Sequence, residues 1–255
     1  MIRALVFLTA VWPFYCLGQT IDVAVASNFL AAAKALKADF EQRTEYRLKL
    51  VPGSTGKHYA QIVNGAPFDV FLAADSDRPI ALEQQQKVTG KRFTYAVGRL
   101  VLWSQDPKLV SGGEVLYAKN LSRLAIANPK LAPYGRAAQQ VLNALKIDAP
   151  NWTLLRGENI NQALHFVHSG NAELGFVALS QLVALHMRHD VDTELGSYWL
   201  VPATLYDPIE QQAVPLSSNL ATDVFMTYLN SPAGRDIIRR YGYQLPEVHS
   251  VGGQP

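Results

Sequence analysis

Short apolar runs alternate with amphipathic stretches from residue 21 onward. Residues 21–26 (IDVAVA) predict a strand. Phe29, Ala33, Leu36 and Phe40 recur at i, i+4, i+7 and i+11 and predict the helix that follows it. Residues 47–51 and 69–73 predict two more strands, with a short helix around Tyr59, Ile62 and Val63 between them. Residues 94–104 (TYAVGRLVLWS) predict one unusually long strand with Gly98 in its middle. Residues 124–127 (LAIA) and 174–178 (LGFVA) predict buried strands. One helix is marked by Ala138, Val141, Leu142 and Leu145, another by Ile160, Ala163, Leu164 and Val167. Two helices, through Val224, Phe225 and Tyr228 and through Ile237 and Ile238, close the chain.

This alternation predicts an α/β protein whose sheets are mainly parallel and flanked by helices. Two similar blocks, about 21–98 and 99–208, are followed by a helical tail from about 209. No linker separates the blocks, so the chain is expected to cross between domains inside the long strand.

Composition narrows the classes. The chain has 255 residues, 49% hydrophobic and 17% charged, which fits a globular protein and not a disordered one. Lys and Arg number 23 against 21 Asp and Glu, a formal charge of +2, with no block of five like charges. That balance argues against a nucleic-acid partner. A single cysteine, Cys16, excludes an intrachain disulfide and a cysteine-based zinc cluster. Residues 1–19 carry Arg3, an apolar run over 4–11 and small or polar residues at the end, the pattern of a cleaved secretory signal peptide. Pro13 interrupts the stretch before it reaches membrane-spanning length.

The junctions between strands and helices carry the candidate chemistry. Ser27 and Asn28 follow the first strand; Gly53, Ser54, Thr55 and Gly56 follow the second. Asn128, Pro129, Pro133, Tyr134 and Gly135 follow LAIA, and Glu158, Asn159 and Ile160 open the next helix. Plain helix capping explains Ser, Thr and Asn at any one of these positions. Together they offer more, because helix starts leave backbone N–H groups unpartnered and carry partial positive charge. In open α/β sheets, strand C-termini and helix N-termini face the crevice where ligands bind. Convergence of the four junctions would suit an anion.

Other motifs are weaker. GSTGK (53–57) has its glycines three apart, and His58 stands where a P-loop needs Ser or Thr. Nucleophilic use of Ser27 or Ser54 in a secreted hydrolase would need an oriented base, and His58 is the only histidine nearby in sequence. His165 with His168 and His186 with His189 are i, i+3 pairs that could share a metal, but surface positions near helix ends explain them. Asp69, Asp75 and Asp77 read as turn and cap residues.

Six segments together resemble the molybdate-binding periplasmic proteins that serve bacterial ABC importers. They are AVASNFL (24–30), GSTGKHYAQIVNGAPFDVFLAAD (53–75), FTYAVGRLVLWS (93–104), LAIANPKLAPYG (124–135), ELGFVAL (173–179) and SPAGRDIIRRYGY (231–243). The resemblance implies a two-domain, type II periplasmic-binding fold, with residues 21–98 plus 209–255 in one domain and 99–208 in the other. It implies a non-enzymatic, monomeric receptor that captures molybdate or tungstate in the periplasm, uses no cofactor and hands its ligand to a membrane permease. Sulfate is the alternative oxyanion. The contacts it implies are Ser27 and Asn28, Ser54 and Thr55, Tyr134 through its backbone and Ile160 through its N–H. Ser27, Thr55, Tyr134 and Ile160 would then meet the metal only as its oxyanion, with no direct metal ligand. Some members place a tyrosine where Ala178 stands here, so this chain resembles the branch without it.

Overall fold

The computed structural model describes residues 18–147, 151–187 and 195–246. The leader expected over residues 1–19, with Cys16, falls almost wholly outside the described residues, as does His189.

The first sheet is built from β1 (Thr20–Ala26), β2 (Arg47–Gly53), β3 (Val70–Leu72), β4 (Phe93–Gly98) and β10 (Ile209–Pro215), in the order β2-β1-β3-β10-β4. Its helices are α1 (Leu30–Arg43), α2 (Thr55–Val63), α3 (Asp77–Gln84), α7 (Leu220–Leu229) and α8 (Pro232–Arg240). The second sheet holds β5 (Leu100–Ser104), β6 (Arg123–Ala127), β7 (Thr153–Gly157), β8 (Leu174–Ala178) and β9 (Ser197–Leu200), in the order β7-β6-β8-β5-β9. Helices α4 (Pro133–Ala144), α5 (Ile160–His168) and α6 (Leu179–His186) pack on it. The two sheets with their helices are called the first and second lobes below.

Both sheets are mixed: in each, four of the five strands run one way, as expected of a mainly parallel sheet, and one, β10 or β5, runs against them. β1 runs parallel to β2 and β3, and β6 runs parallel to β7 and β8. β10 is antiparallel to β3 and β4, and β5 is antiparallel to β8 and β9. Parallel neighbours need a crossover helix between them, and β1-α1-β2-α2-β3 and β6-α4-β7-α5-β8 supply those helices. The antiparallel strands are the ones that carry the chain between lobes, outside any such unit. Periodicity reports which face a strand buries, not which way it runs.

The long apolar stretch over 94–104 is two strands, not one. β4 ends at Gly98 in the first sheet and β5 starts at Leu100 in the second, with Arg99 between them. The tail from 209 is also not purely helical. It opens with β10, which inserts between β3 and β4.

The inner strands β1, β3, β5, β6 and β8 are buried on both faces, so they read as near-continuous apolar runs. In β1, Val23 and Val25 face α1, α7 and α8 through Phe29, Leu36, Phe40, Phe225 and Ile238. Ala24 faces the other way, toward Ile62 and Leu82 of α2 and α3. In β5, Leu100 and Leu102 pack with Ala138 and Val141 of α4, while Val101 and Trp103 pack with Val167 and Leu182 of α5 and α6. This alternation with period two fixes the register of both sheets. No helix among the described residues is long and apolar enough to cross a membrane.

Candidate functional site

The parallel strand pairs bring the four junctions together in twos. Ala26 pairs with Gly53, so Ser27 and Ser54 leave the first sheet side by side. Ala127 pairs with Gly157, so Asn128 and Glu158 leave the second sheet in the same way. Contacts between the lobes then join the two ends. The Gly56 N–H donates to Leu131 O at 2.8 Å. Lys57 Nζ lies 2.5 Å from Glu158 Oε2, and Ser180 Oγ donates to Asn28 O at 3.2 Å. All six expected contact residues are buried at this meeting.

Each junction is built differently. β1 ends in a 3-10 turn, Ser27–Phe29, before α1 begins. At α2 the Ser54 side chain caps the helix, accepting from the Lys57 N–H at 3.4 Å. Thr55, only 1% exposed, accepts at Oγ1 from the Ala74 N–H at 3.1 Å, which leaves its own hydroxyl proton to donate elsewhere. At α4, Pro133 has no N–H, and the N–H groups of Gly135 and Arg136 both turn back to Ala132 O. A Cβ on Gly135 would strike Ala127 O, so only glycine lets this helix start lie so close to β6. At α5 the Asn159 side chain accepts from the N–H groups of Asn161 and Gln162. The N–H groups of Tyr134 and Ile160 have no protein acceptor among the described residues. These donors are the ones that capping leaves over.

A cavity of about 260 Å³ joins the first junction to the fourth, lined by Ser27, Asn28, Ala31, Asn161, Leu164 and Gln181 among others. Of the six expected contact residues only Ser27 and Asn28 line it; Ser54, Thr55, Tyr134 and Ile160 do not, and the second and third junctions meet instead through the Gly56–Leu131 contact. Gln181 braces the far wall, donating from Nε2 to Ile160 O at 3.3 Å and to Asn161 Oδ1 at 2.7 Å.

Charges surround the junctions in neutralised pairs. Lys57 pairs with Glu158, Arg136 with Asp77 at 2.6 Å, and Arg78 with Asp75. Arg78 Nη2 also donates to Lys130 O at 3.0 Å in the second lobe. Burial pushes the Asp75 carboxyl up while the Arg78 guanidinium pulls it back. The buried residues at the junctions therefore offer hydroxyl and amide donors, while the charged residues of these segments, Lys57, Lys130 and Glu158, are exposed.

The Asn28 side chain is held inside the protein. Its Nδ2 donates to Gln211 Oε1 and to Tyr243 Oη, both at 3.0 Å, so both side-chain protons are used inside the protein. What it can still present is its backbone N–H. The Tyr134 hydroxyl is likewise turned away, accepting from Gln211 Nε2 at 3.2 Å. Ala178, fully buried at the end of β8, offers only a methyl group beyond its backbone.

Gln211 was missed in the sequence because Glu210, Gln211 and Gln212 make β10 read as polar. The only signal was the return of apolar residues at 213–214.

The rival candidates have other work. His58 is buried, with Nδ1 3.1 Å from Gln61 Oε1 and Nε2 3.3 Å from Val25 O, and burial lowers its pKa. Both ring nitrogens face these groups, so it is no base for a serine. His165, His168 and His186 are exposed. Asp69 accepts from the Asp22 N–H and from Asn219 Nδ2. Among the described residues no group of three or more His, Cys, Asp or Glu is placed to hold a metal ion.

Two mixed sheets thus meet at the polar helix starts that follow their parallel strands. Residues 21–244 match the family model described as bacterial extracellular solute-binding protein. The molybdate-binding protein ModA of Azotobacter vinelandii is 48% identical over 231 residues, covering 88% of this chain and 90% of that one. The molybdate-binding protein ModA of Rhodobacter capsulatus is 43% identical, covering 89% and 88%. The solved Azotobacter vinelandii periplasmic molybdate-binding protein superposes with a TM-score of 0.81 at 38% identity, over 89% of this chain and all of that one. The chain belongs to the bacterial extracellular solute-binding protein family. It binds a solute and is not an enzyme.

Proposed function

We propose that this protein captures molybdate, and tungstate with it, outside the cytoplasm and delivers it to the membrane permease of an ABC importer. The observation that carries this reading is the meeting of four buried, uncharged helix starts in a chain 48% identical to a molybdate-binding protein. The donors would be the hydroxyls of Ser27 and Thr55 and the N–H groups of Asn28, Tyr134 and Ile160, with Ser54 shaping the turn. Hydrogen bonds to a charged group contribute about 1.5–3 kcal/mol each. Several together offset the loss of water from a dianion with no counter-charge. A protonated phosphate would find no acceptor among donors, and sulfate would be too small to reach all of them.

Three finer points belong to the same proposal. Residues 21–98 with 209–255, and 99–208, act as two domains that close on the ligand as a monomer. Residues 1–19 direct export to the periplasm. The site works without a tyrosine hydroxyl, because Ala178 has none and the Tyr134 hydroxyl lies against Gln211 Nε2. Thermal unfolding tests the reading: micromolar molybdate or tungstate raises Tm, through binding to the folded state, and equimolar sulfate does not. An equal rise with sulfate would overturn it.

A further inference from the structure

A buried polar network lies where the chain passes between the lobes, and Gln211 is its centre. Gln211 is 0% exposed on β10. Its Oε1 accepts from Asn28 Nδ2 at 3.0 Å and from Tyr95 Oη at 3.1 Å, both in the first lobe. Its Nε2 donates to Tyr134 Oη at 3.2 Å in the second lobe. Tyr243 Oη completes the grip on Asn28, donating to its carbonyl at 2.9 Å, and Phe29 packs edge-on against Tyr95 and Tyr243. Gly98, the last residue before the crossing, lies directly beneath. A Cβ there would collide with the Tyr134 hydroxyl and stand 2.8 Å from Gln211 Nε2.

We infer that Gln211 is a positioning residue that sets the size of the closed site, and so its choice among tetrahedral oxyanions. One amide holds Asn28 and Tyr134, the bases of two of the four helix starts, on opposite lobes. A side-chain amide is a rigid planar spacer with a donor at one end and an acceptor at the other, and full burial makes both ends costly to leave unmade. When the lobes are closed, the separation of the two helix starts is therefore set by the protein and not by the anion alone. A fixed separation suited to a large tetrahedron leaves a smaller one short of donors. A loosened one lets the site shrink onto the smaller anion. Cohesion alone would need no group that bridges the lobes at the ligand-bearing residues themselves.

The inference rests on the molybdate reading, and calorimetry separates the two. Wild type, Gln211→Met, Tyr134→Phe and the double variant are titrated with molybdate and with sulfate. Tyr134→Phe keeps the backbone N–H and loses only the hydroxyl that Gln211 contacts, so it serves even where Gln211→Met folds poorly. The expected result is a loss of at least about tenfold in molybdate affinity in each single variant, with sulfate affinity changed by less than about threefold. The double variant should fall little further than Gln211→Met alone, because the link that Tyr134→Phe removes is among those Gln211→Met already breaks. Loss of both anions by the same factor, or an unchanged molybdate-to-sulfate ratio in Tyr134→Phe, would overturn the role of Gln211. A wild type that does not prefer molybdate would overturn the molybdate reading and this inference with it.

Discussion

The backbone N–H of Gly56, in the first turn of α2, donates to the carbonyl of Leu131 at 2.8 Å across the gap between the lobes. Thr55 stands one residue before the donor, and Tyr134 three residues after the acceptor. The bond thus ties together two helix starts that carry proposed ligand contacts. A Cβ at Gly56 would lie 3.0 Å from Leu131 O and 3.1 Å from Arg78 Nη2. Gly56→Ala is expected to weaken oxyanion binding by about 1–3 kcal/mol, the range for forcing a methyl group into packed surroundings. The Tm of the ligand-free protein should change little. Calorimetry beside thermal unfolding checks both halves.

Thr55→Ala removes a hydroxyl that is buried and already oriented by the Ala74 N–H. Loss of one hydrogen bond to a charged ligand is expected to cost about 1.5–3 kcal/mol of binding. Thr55→Ser, which keeps the hydroxyl, should recover most of it. Unchanged affinity in Thr55→Ala would remove this residue from the site.

The ion pairs around the site sit at its rim. Lys57 and Glu158 are both about half exposed. Lys57→Ala is expected to change affinity by less than about fivefold, and by less still at high salt. A titration series in sodium chloride measures this. A much larger loss would mean that Lys57 meets the anion directly.

The proposed donors do not titrate near neutrality, so molybdate affinity should be flat between about pH 6.5 and 8.5. Stability should not be flat below that range. Burial lowers the pKa of His58 in the folded protein, so the unfolded chain binds more protons as pH falls through its ordinary value near 6.5. Stability is therefore full above that pH and declines below it. In His58→Gln this part of the slope should disappear. Tm measured from about pH 8 to pH 5 tests the sign, and a wild type that gains stability on acidification would contradict it.

His165 and His168 share the exposed C-terminal part of α5, away from the N-terminal donors at Ile160. Replacing both with alanine is expected to leave oxyanion affinity unchanged. A clear loss in a competition titration would reopen a metal role for this pair.

The helix starts were legible in the sequence because capping residues and glycines declare themselves by type and position. Ser27, Ser54, Thr55 and Ile160 fall at the helix starts that their neighbours imply. The crossing at Gly98 was legible as a place but not as a break, since an apolar run does not show that its two halves serve different sheets. Strand direction left no trace in period-two patterning, so the mixed sheets came from the structure alone. β10 was hidden because Gln211 and Gln212 are buried polar residues, satisfied by partners as far away in sequence as Asn28 and Arg92. Such long-range satisfaction has no local signature, and it also occupies both side-chain N–H groups of Asn28.

The most direct measurement is the position of molybdenum in crystals grown with molybdate, read from its anomalous scattering. One peak is expected within hydrogen-bonding reach, through its oxygens, of the Ser27 and Thr55 hydroxyls and the N–H groups of Tyr134 and Ile160. A peak beside a lysine, arginine or histidine and away from those four groups would contradict a site made of uncharged donors.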